Sequence, residues 1–279
     1  MEKIKAVFFD MDGTLLDNNS RITQKTREGL EYLSKRGILF GIASGRPIEE
    51  IKRKLLGAGV YDSFSLAVGM NGSHIKNFRT GYFEEILPIP AEGINRLLDL
   101  YYDMENIDLT VSDETTIYCK KETPMVTSIS DEDYLHVVET DFHEVRDHAW
   151  PKAAVWWHDH DTKVEVIRRY NEEMNYSEIH GVVAGPSSLE FTHRAVDKGV
   201  GIQYLMGAIH VPLSKTMGFG DSENDLRMFE TVGYPVAMKN ASKRALAAVP
   251  RTTDYFNYEN GAVRYLLDHM DLLDLDEGE

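Results

Sequence analysis

Residues 6–17 read AVFFDMDGTLLD. The run from Ile4 to Phe9 is apolar and rich in β formers, which reads as a strand buried on both faces. Two carboxylates, Asp10 and Asp12, follow it directly, and Gly13-Thr14 turns the chain away. Downstream, TQKTREGLEYLSKRG (23–37) reads as a helix, with Thr23 as N-cap, Leu30 and Leu33 on one face and Gly37 as its stop. ILFGIA (38–43) is a second buried strand. Pro47 opens the next helix at its first position, with Glu49 and Glu50 in the first turn and Gly57 beyond the end. FSLAVG (64–69) is a third strand. Short β-α-β-α-β spacing implies a parallel sheet with right-handed crossovers.

The same alternation returns near the C-terminus. KGVGIQYLMGAI (198–209) is helical, TMGFG (216–220) a strand, ENDLRMFETVG a helix, YPVAM (234–238) a strand and ASKRALAAV a helix. The middle differs. DLTVSD, TTIYCK and AAVWWHD are strand-like, AEGINRLLDLYYDM and TKVEVIRRYNEEM helical, and the elements do not alternate. The expected fold class is α/β: a Rossmann-like, doubly wound parallel-sheet core formed by 1–84 and 189–279, split by an inserted α+β unit at 85–188.

Composition narrows the function. The chain has 279 residues, 42% hydrophobic and 10% aromatic, enough for a sizeable core. A net charge of −16 repels phosphate backbones and anionic lipid, which argues against nucleic-acid and membrane partners. No apolar run reaches transmembrane length, and the N-terminus reads as a strand and not a signal peptide. Cys119 stands alone, so no disulfide framework exists and a reducing, cytoplasmic setting is expected. Nothing in the sequence fixes an oligomeric state.

In open α/β sheets ligands bind beyond the carboxyl ends of the strands. Four groups of unusual residues should meet there: Asp10, Asp12, Gly13 and Thr14; Ser44, Gly45 and Arg46; Lys198 opening a helix; and Asp221, Asn224 and Asp225 in GDSENDL. Each has a structural explanation as well. An Asp after a strand forms turns or caps helices. Ser222 to Asp225 fits a capping box, and Lys198 is a surface lysine on base rates. Together they say more. Three carboxylates around one crevice invite a hard cation such as Mg²⁺. A lysine opposes the helix macrodipole at position 198 unless an anion joins it. Metal, lysine and a Ser-Gly turn make a phosphate site.

DMDGTLLD, SGR, DKG and GDSENDL resemble, in order and spacing, the four motifs of the haloacid dehalogenase (HAD) superfamily of phosphatases. The insertion lies where the superfamily's type C2 caps occur. NGS (71–73), NAS (240–242) and ENGA (259–262) resemble accessory positions of the Cof-like IIB subfamily. The resemblance implies a Mg²⁺-dependent phosphatase acting on a small phosphorylated metabolite. Asp10 would be the nucleophile and Asp12 the general acid and base. Strand alternation would aim both at one crevice, with Met11 turned away. Asp10, the backbone carbonyl of Asp12, and Asp221 would hold Mg²⁺, with Asp225 supporting that set. Ser44, Gly45 and Lys198 would hold the phosphoryl group, and Asn224 would touch phosphate or substrate. A phosphotransferase such as a sugar phosphomutase is the nearest alternative, and a non-catalytic phosphate-ligand binding protein a more distant one. In the insertion, His158 and His160 carry ligand chemistry but fall at a strand end and turn. Trp156 and Trp157 divide between core and surface, and Leu97, Tyr101 and Tyr102 read as core. His193 and Arg194 read as surface residues before the DKG motif.

Overall fold

The computed structural model describes residues 2–133, 135–174, 176–184 and 187–276. The chain divides into two units, Met1–Glu84 with Asp197–Glu279, and Glu85–Val196. The first segment of the core runs β1 (Ala6–Phe9), α1 (Gln24–Ser34), β2 (Leu39–Ala43), α2 (Ile48–Gly57), β3 (Phe64–Gly69), β4 (His74–Asn77) and β5 (Phe83–Glu85). The insertion contributes α3 (Ala91–Tyr101), β6 (Ile107–Ser112), β7 (Thr116–Cys119), α4 (Pro124–Asp133), β8 (His136–Glu139), β9 (Lys152–Trp157), α5 (His160–Glu173), β10 (Ile179–Ala184) and β11 (Ser188–His193). The chain then returns to the core with α6 (Lys198–Ala208), β12 (Thr216–Gly220), α7 (Leu226–Thr231), β13 (Tyr234–Ala237), α8 (Lys243–Ala248) and α9 (Gly261–Asp268).

The core sheet has the order β13-β12-β1-β2-β3-β4-β5. It is parallel from β13 to β3, and β4 turns back antiparallel against β3. The buried strands read by their apolar runs are present, and TMGFG and FSLAVG match β12 and β3 residue for residue. Strand β1 lies centrally, with Phe9 opposite Phe219 on one side and Ile42 on the other. The Phe9 ring stacks on Phe219 at 5.4 Å and meets Phe40 at 5.6 Å. Phe8 points to the opposite face and lies over Gly41, where a Cβ would come within 2.4 Å of its ring. Bulk on β1 is thus matched by a missing side chain on β2, as close packing demands.

Helix α1 is capped as its sequence indicates, by Thr23 accepting from the Thr26 amide. Pro47 falls one position earlier than expected: it is the N-cap of α2, and Ile48 is the first helical residue.

The insertion forms its own six-stranded sheet, β10-β11-β9-β6-β7-β8, antiparallel except for the β7–β8 pair. Alternate residues of its strands, including Leu109, Val111, Val155, Trp157 and Phe191, join Ile94, Leu97 and Tyr101 of α3 and Val166 of α5 in one apolar cluster. Tyr101 is core and satisfies its hydroxyl on the Val166 carbonyl at 3.0 Å. Trp157 is buried, while Trp156 is half-buried and donates to Thr110.

The second boundary of the insertion needs correction. The expected cut at 188/189 falls inside β11, whose residues 188–191 pair with β9 and 188–193 with β10. The cut lies instead between Val196 and Asp197. His193 and Arg194 therefore belong to the inserted unit, half-buried and exposed respectively. Among the described residues, no helix is long and apolar enough to cross a membrane.

Candidate active site

Parallel strands in register deliver their C-terminal ends to one edge. Asp10 follows β1 and its amide is held by the Phe219 carbonyl of β12 at 2.9 Å. Ser44 follows β2, and Asp221 follows β12. Lys198 is the first residue of α6, which is capped by Asp197 accepting from the Val200 amide at 2.9 Å.

These groups meet. Lys198 Nζ donates to Asp10 Oδ1 at 2.6 Å and to Asp225 Oδ1 at 2.7 Å. Lys198 is 1% exposed, Asp10 6% and Asp225 0%. The lysine that opposed the helix dipole is neutralised by two carboxylates from other elements, which explains why it is buried and not solvated. Asp225 does more: its Oδ2 accepts the amides of Asp221 at 2.9 Å and Ser222 at 3.0 Å. The reciprocal bond expected of a capping residue and the contact to Lys198 are made by one carboxylate. Asp221 is fixed by Thr14, whose hydroxyl donates to Oδ1 at 2.8 Å.

After Asp10 the chain does not continue as a strand. Met11–Leu15 forms a wide turn, closed by Leu15 N to Asp10 O and Leu16 N to Met11 O, with Asp12 extended (φ −79°, ψ 124°) and Gly13 left-handed, so it is not helical. Strand alternation is therefore not what aims Asp12. Its carboxylate is exposed and turns to Arg46, which donates to it through Nε at 2.9 Å. Gly13 has φ +77°, and a Cβ there would lie 2.6 Å from Asp221 Oδ2. Glycine is required on both counts. Asn240 holds the same turn by donating to the Gly13 carbonyl at 2.7 Å, and Asn257 donates to Leu16 O at 2.8 Å.

Ser44 is buried, its amide bonded to Val68 O and its hydroxyl accepting from the Arg46 amide at 3.3 Å. Gly45 sits against Asn71, 3.0 Å from where its Cβ would be. Asn224 is exposed, and its amide oxygen accepts from Ser222 at 2.6 Å. The structure thus joins Asp10, Lys198, Asp221 and Asp225 tightly, attaches Asp12 through Arg46, and leaves Asn224 at the rim. Sequence reasoning placed Thr14 in the first group and Asn240 at an accessory position without giving either a partner, and it missed Asn257. Nothing along the chain reveals that residues 240 and 257 return to residues 13 and 16.

The donor set suits a hard cation. Asp10, Asp221 and Asp225 each offer an oxygen, and these lie within 4.8 Å of one another. Three carboxylates face one lysine, so negative charge is in excess. Burial, with Lys198 pulling the other way and Asp225 and Asp221 adding to it, raises the Asp10 carboxyl well above its usual range. Burial opposes the charge on Lys198, yet Asp10 and Asp225 outweigh it and the ammonium is held protonated. Burial and the Asp225 charge, against the Thr14 hydrogen bond, raise Asp221 from 3.8 to about 6. The room left by Gly13 lies beside Asp221 Oδ2. In contrast, His158 pairs with Asp108 at 3.2 Å and His160 is exposed at the start of α5.

A consequence follows for the metal-free protein. Asp221 binds its proton more tightly folded than unfolded, so between about pH 4 and 6 the folded state carries more protons. Its contribution to stability is therefore lost as pH rises through that window. Urea unfolding in EDTA should show wild type losing stability across it relative to Asp221→Asn, and a divalent cation at pH 7 should recover the loss. Parallel pH profiles for the two proteins would contradict the assignment.

The sequence profile of the haloacid dehalogenase-like hydrolases matches residues 7–266. The chain belongs to that family. Its curated relatives include the 5-amino-6-(5-phospho-D-ribitylamino)uracil phosphatase YitU of Bacillus subtilis (strain 168), 26% identical over 95% of this chain and 97% of its own. The HMP-PP phosphatase of Enterobacter sp. (strain 638) is 28% identical, covering 94% and 93%. Among solved structures, a haloacid dehalogenase-like hydrolase from Bacteroides thetaiotaomicron superposes with a TM-score of 0.84 at 23% identity, covering 95% and 99%. A HAD subclass IIB sugar phosphatase superposes at 0.79 with 23% identity, covering 96% and 100%. Those likenesses establish the fold that the motifs led one to expect.

Proposed function

We propose that the protein is a Mg²⁺-dependent phosphatase that hydrolyses small phosphomonoesters, such as sugar phosphates or nucleotide- and cofactor-derived phosphates, through an aspartyl-phosphate. The observation that carries this reading is the buried Lys198 bridging Asp10 and Asp225 beside Asp221. The relatives' names, a ribitylaminouracil phosphate phosphatase and a sugar phosphatase among them, support the substrate class.

In this reading an Asp10 oxygen attacks phosphorus while Lys198 fixes the carboxylate's rotation. The P–O bond to the substrate breaks, and Asp12 gives its proton to the leaving alkoxide. Water then attacks the aspartyl-phosphate, passing its proton to Asp12. The acyl phosphate bond breaks, returning the Asp10 carboxylate and inorganic phosphate. Ser44 and Lys198 bind phosphoryl oxygens, where charge is spread in the transition state. Mg²⁺ would be held by Asp10, the Asp12 carbonyl and Asp221, and when bound would neutralise charge on those oxygens. Asp225 would support that set, its Oδ1 accepting from Lys198 and its Oδ2 from two amides.

The test is phosphate release across a panel of phosphorylated metabolites. EDTA should abolish it and Mg²⁺ restore it. Ca²⁺, titrated at fixed Mg²⁺, should inhibit, since a bidentate Asp10 carboxylate cannot also attack. Isomerised product in place of phosphate would assign a phosphotransferase, and full activity in EDTA would rule out the metal.

A further inference from the structure

Helix α2 carries a buried charge where its fold asks for none. Ile48, Ile51 and Leu55 make its buried face, and Glu50 joins them at 0% exposure. Its place in the first turn of the helix makes the charge tolerable, but an apolar residue would avoid the desolvation cost altogether. Glu50 meets Lys54 at 3.4 Å and accepts from Arg46 Nη1. The other edge of the same guanidinium faces Asp12. Nε donates to Asp12 Oδ2 at 2.9 Å and Nη2 to Asp12 Oδ1 at 3.1 Å. Arg46 is 14% exposed and Asp12 53%.

This division of donors has a mechanical meaning. An exposed carboxylate one carbon from the backbone samples several rotamers, and an ordinary surface ion pair restrains it weakly. A guanidinium is a rigid plane whose edges cannot turn independently. With one edge locked to a buried carboxylate, the other presents two parallel N–H bonds in one direction only.

We propose that Glu50, acting through the shared guanidinium of Arg46, is a positioning residue that fixes the direction of the Asp12 carboxylate for proton transfer to the leaving group. The inference rests on the reading of Asp12 as general acid and base. It adds a residue on α2 that touches no reacting atom, and it makes Arg46 irreplaceable by lysine, which lacks a second edge.

The experiment compares kcat/KM, which covers the steps up to loss of the leaving group, for two substrates. One is p-nitrophenyl phosphate, whose phenolate leaves without a proton. The other is the alkyl phosphate turned over fastest in the panel. Asp12→Asn sets the benchmark and should impair the alkyl substrate far more than the aryl one. Glu50→Gln and Arg46→Lys should show the same split, with roughly 10- to 100-fold loss on the alkyl phosphate, the usual effect of misplacing a catalytic group by about an ångström. Loss on p-nitrophenyl phosphate should stay within a few fold. A merely structural role would lower both substrates alike. Should Glu50→Gln fail to fold, Arg46→Lys still carries the test, because it leaves Glu50 a cation. Equal losses on both substrates, or none, in folded variants would overturn the proposal while the Asp12→Asn split stands. Absence of that split in Asp12→Asn would overturn the acid–base reading and the proposal with it.

Discussion

Asp10→Asn yields a folded protein whose turnover falls by roughly 10⁴-fold or more, the scale seen when a covalent nucleophile is removed. The amide cannot attack phosphorus. The substitution also removes one of three carboxylates that crowd a single lysine, and the one whose carboxyl burial pushes well above its usual range. Stability should therefore hold or rise, which separates lost chemistry from lost structure. Two measurements check this: phosphate release on the best substrate, and intact mass after acid quench. The wild type should show the added mass of one phosphoryl group, and the variant should not. Near-wild-type turnover after removal of contaminating phosphatase would end the covalent mechanism.

Lys198→Met produces the opposite combination, with activity and stability both falling. The side chain is close in volume, but Asp10 and Asp225 then face each other buried without their shared cation. Removing one partner of a buried ion pair costs about 3–5 kcal/mol. In the proposed mechanism the variant also lacks a donor to the transferring phosphoryl group, a loss of about 10²- to 10³-fold in kcat. The stability loss has a pH signature. Without the ammonium, which pulls the raised Asp10 carboxyl back down, Asp10 holds its proton more tightly in the folded state, so the defect should shrink on acidification and grow as pH rises. Chemical denaturation at several pH values, with and without Mg²⁺, reads it directly. A variant as stable as wild type at neutral pH would show that the bridge is not what holds these elements together.

The parallel half of the core was legible because buried strands are short apolar runs and the turns after them are chemically odd. AVFF, LFGIA and TMGFG announce themselves, and Asp10, Lys198 and Asp221 stand where strands and helices begin or end. The antiparallel edge was not legible. HIKN and FEE, which become β4 and β5, are mostly polar, short and without a clean alternation. Strand β11, SLEFTH, does alternate, with Leu189 and Phe191 inward, but its neighbour β10, IHGVVA, carries Gly181 and has no clean alternation. The pair was divided between units as a result. At the site, residue types were readable and directions were not. Asp12 facing Arg46, Asp225 serving a helical turn and a lysine at once, and Asn240 reaching Gly13 depend on contacts between residues far apart in the chain.

The position of β1 has a consequence for how the protein is made. Its two neighbours come from opposite ends of the chain: residue 6 pairs with residue 39 on one side and residue 216 on the other. During synthesis β2 and β3 can join it early, but one side of β1 stays open while residues 85–196 are added. An unpaired Ala-Val-Phe-Phe edge is an aggregation hazard, and pairing across so long a separation is slow. Lys198, which bridges Asp10 and Asp225, emerges only shortly before the strand that closes this gap. Nascent chains therefore carry an exposed sticky edge and no activity until nearly complete, so the demand for chaperone protection falls on the first strand and for most of translation.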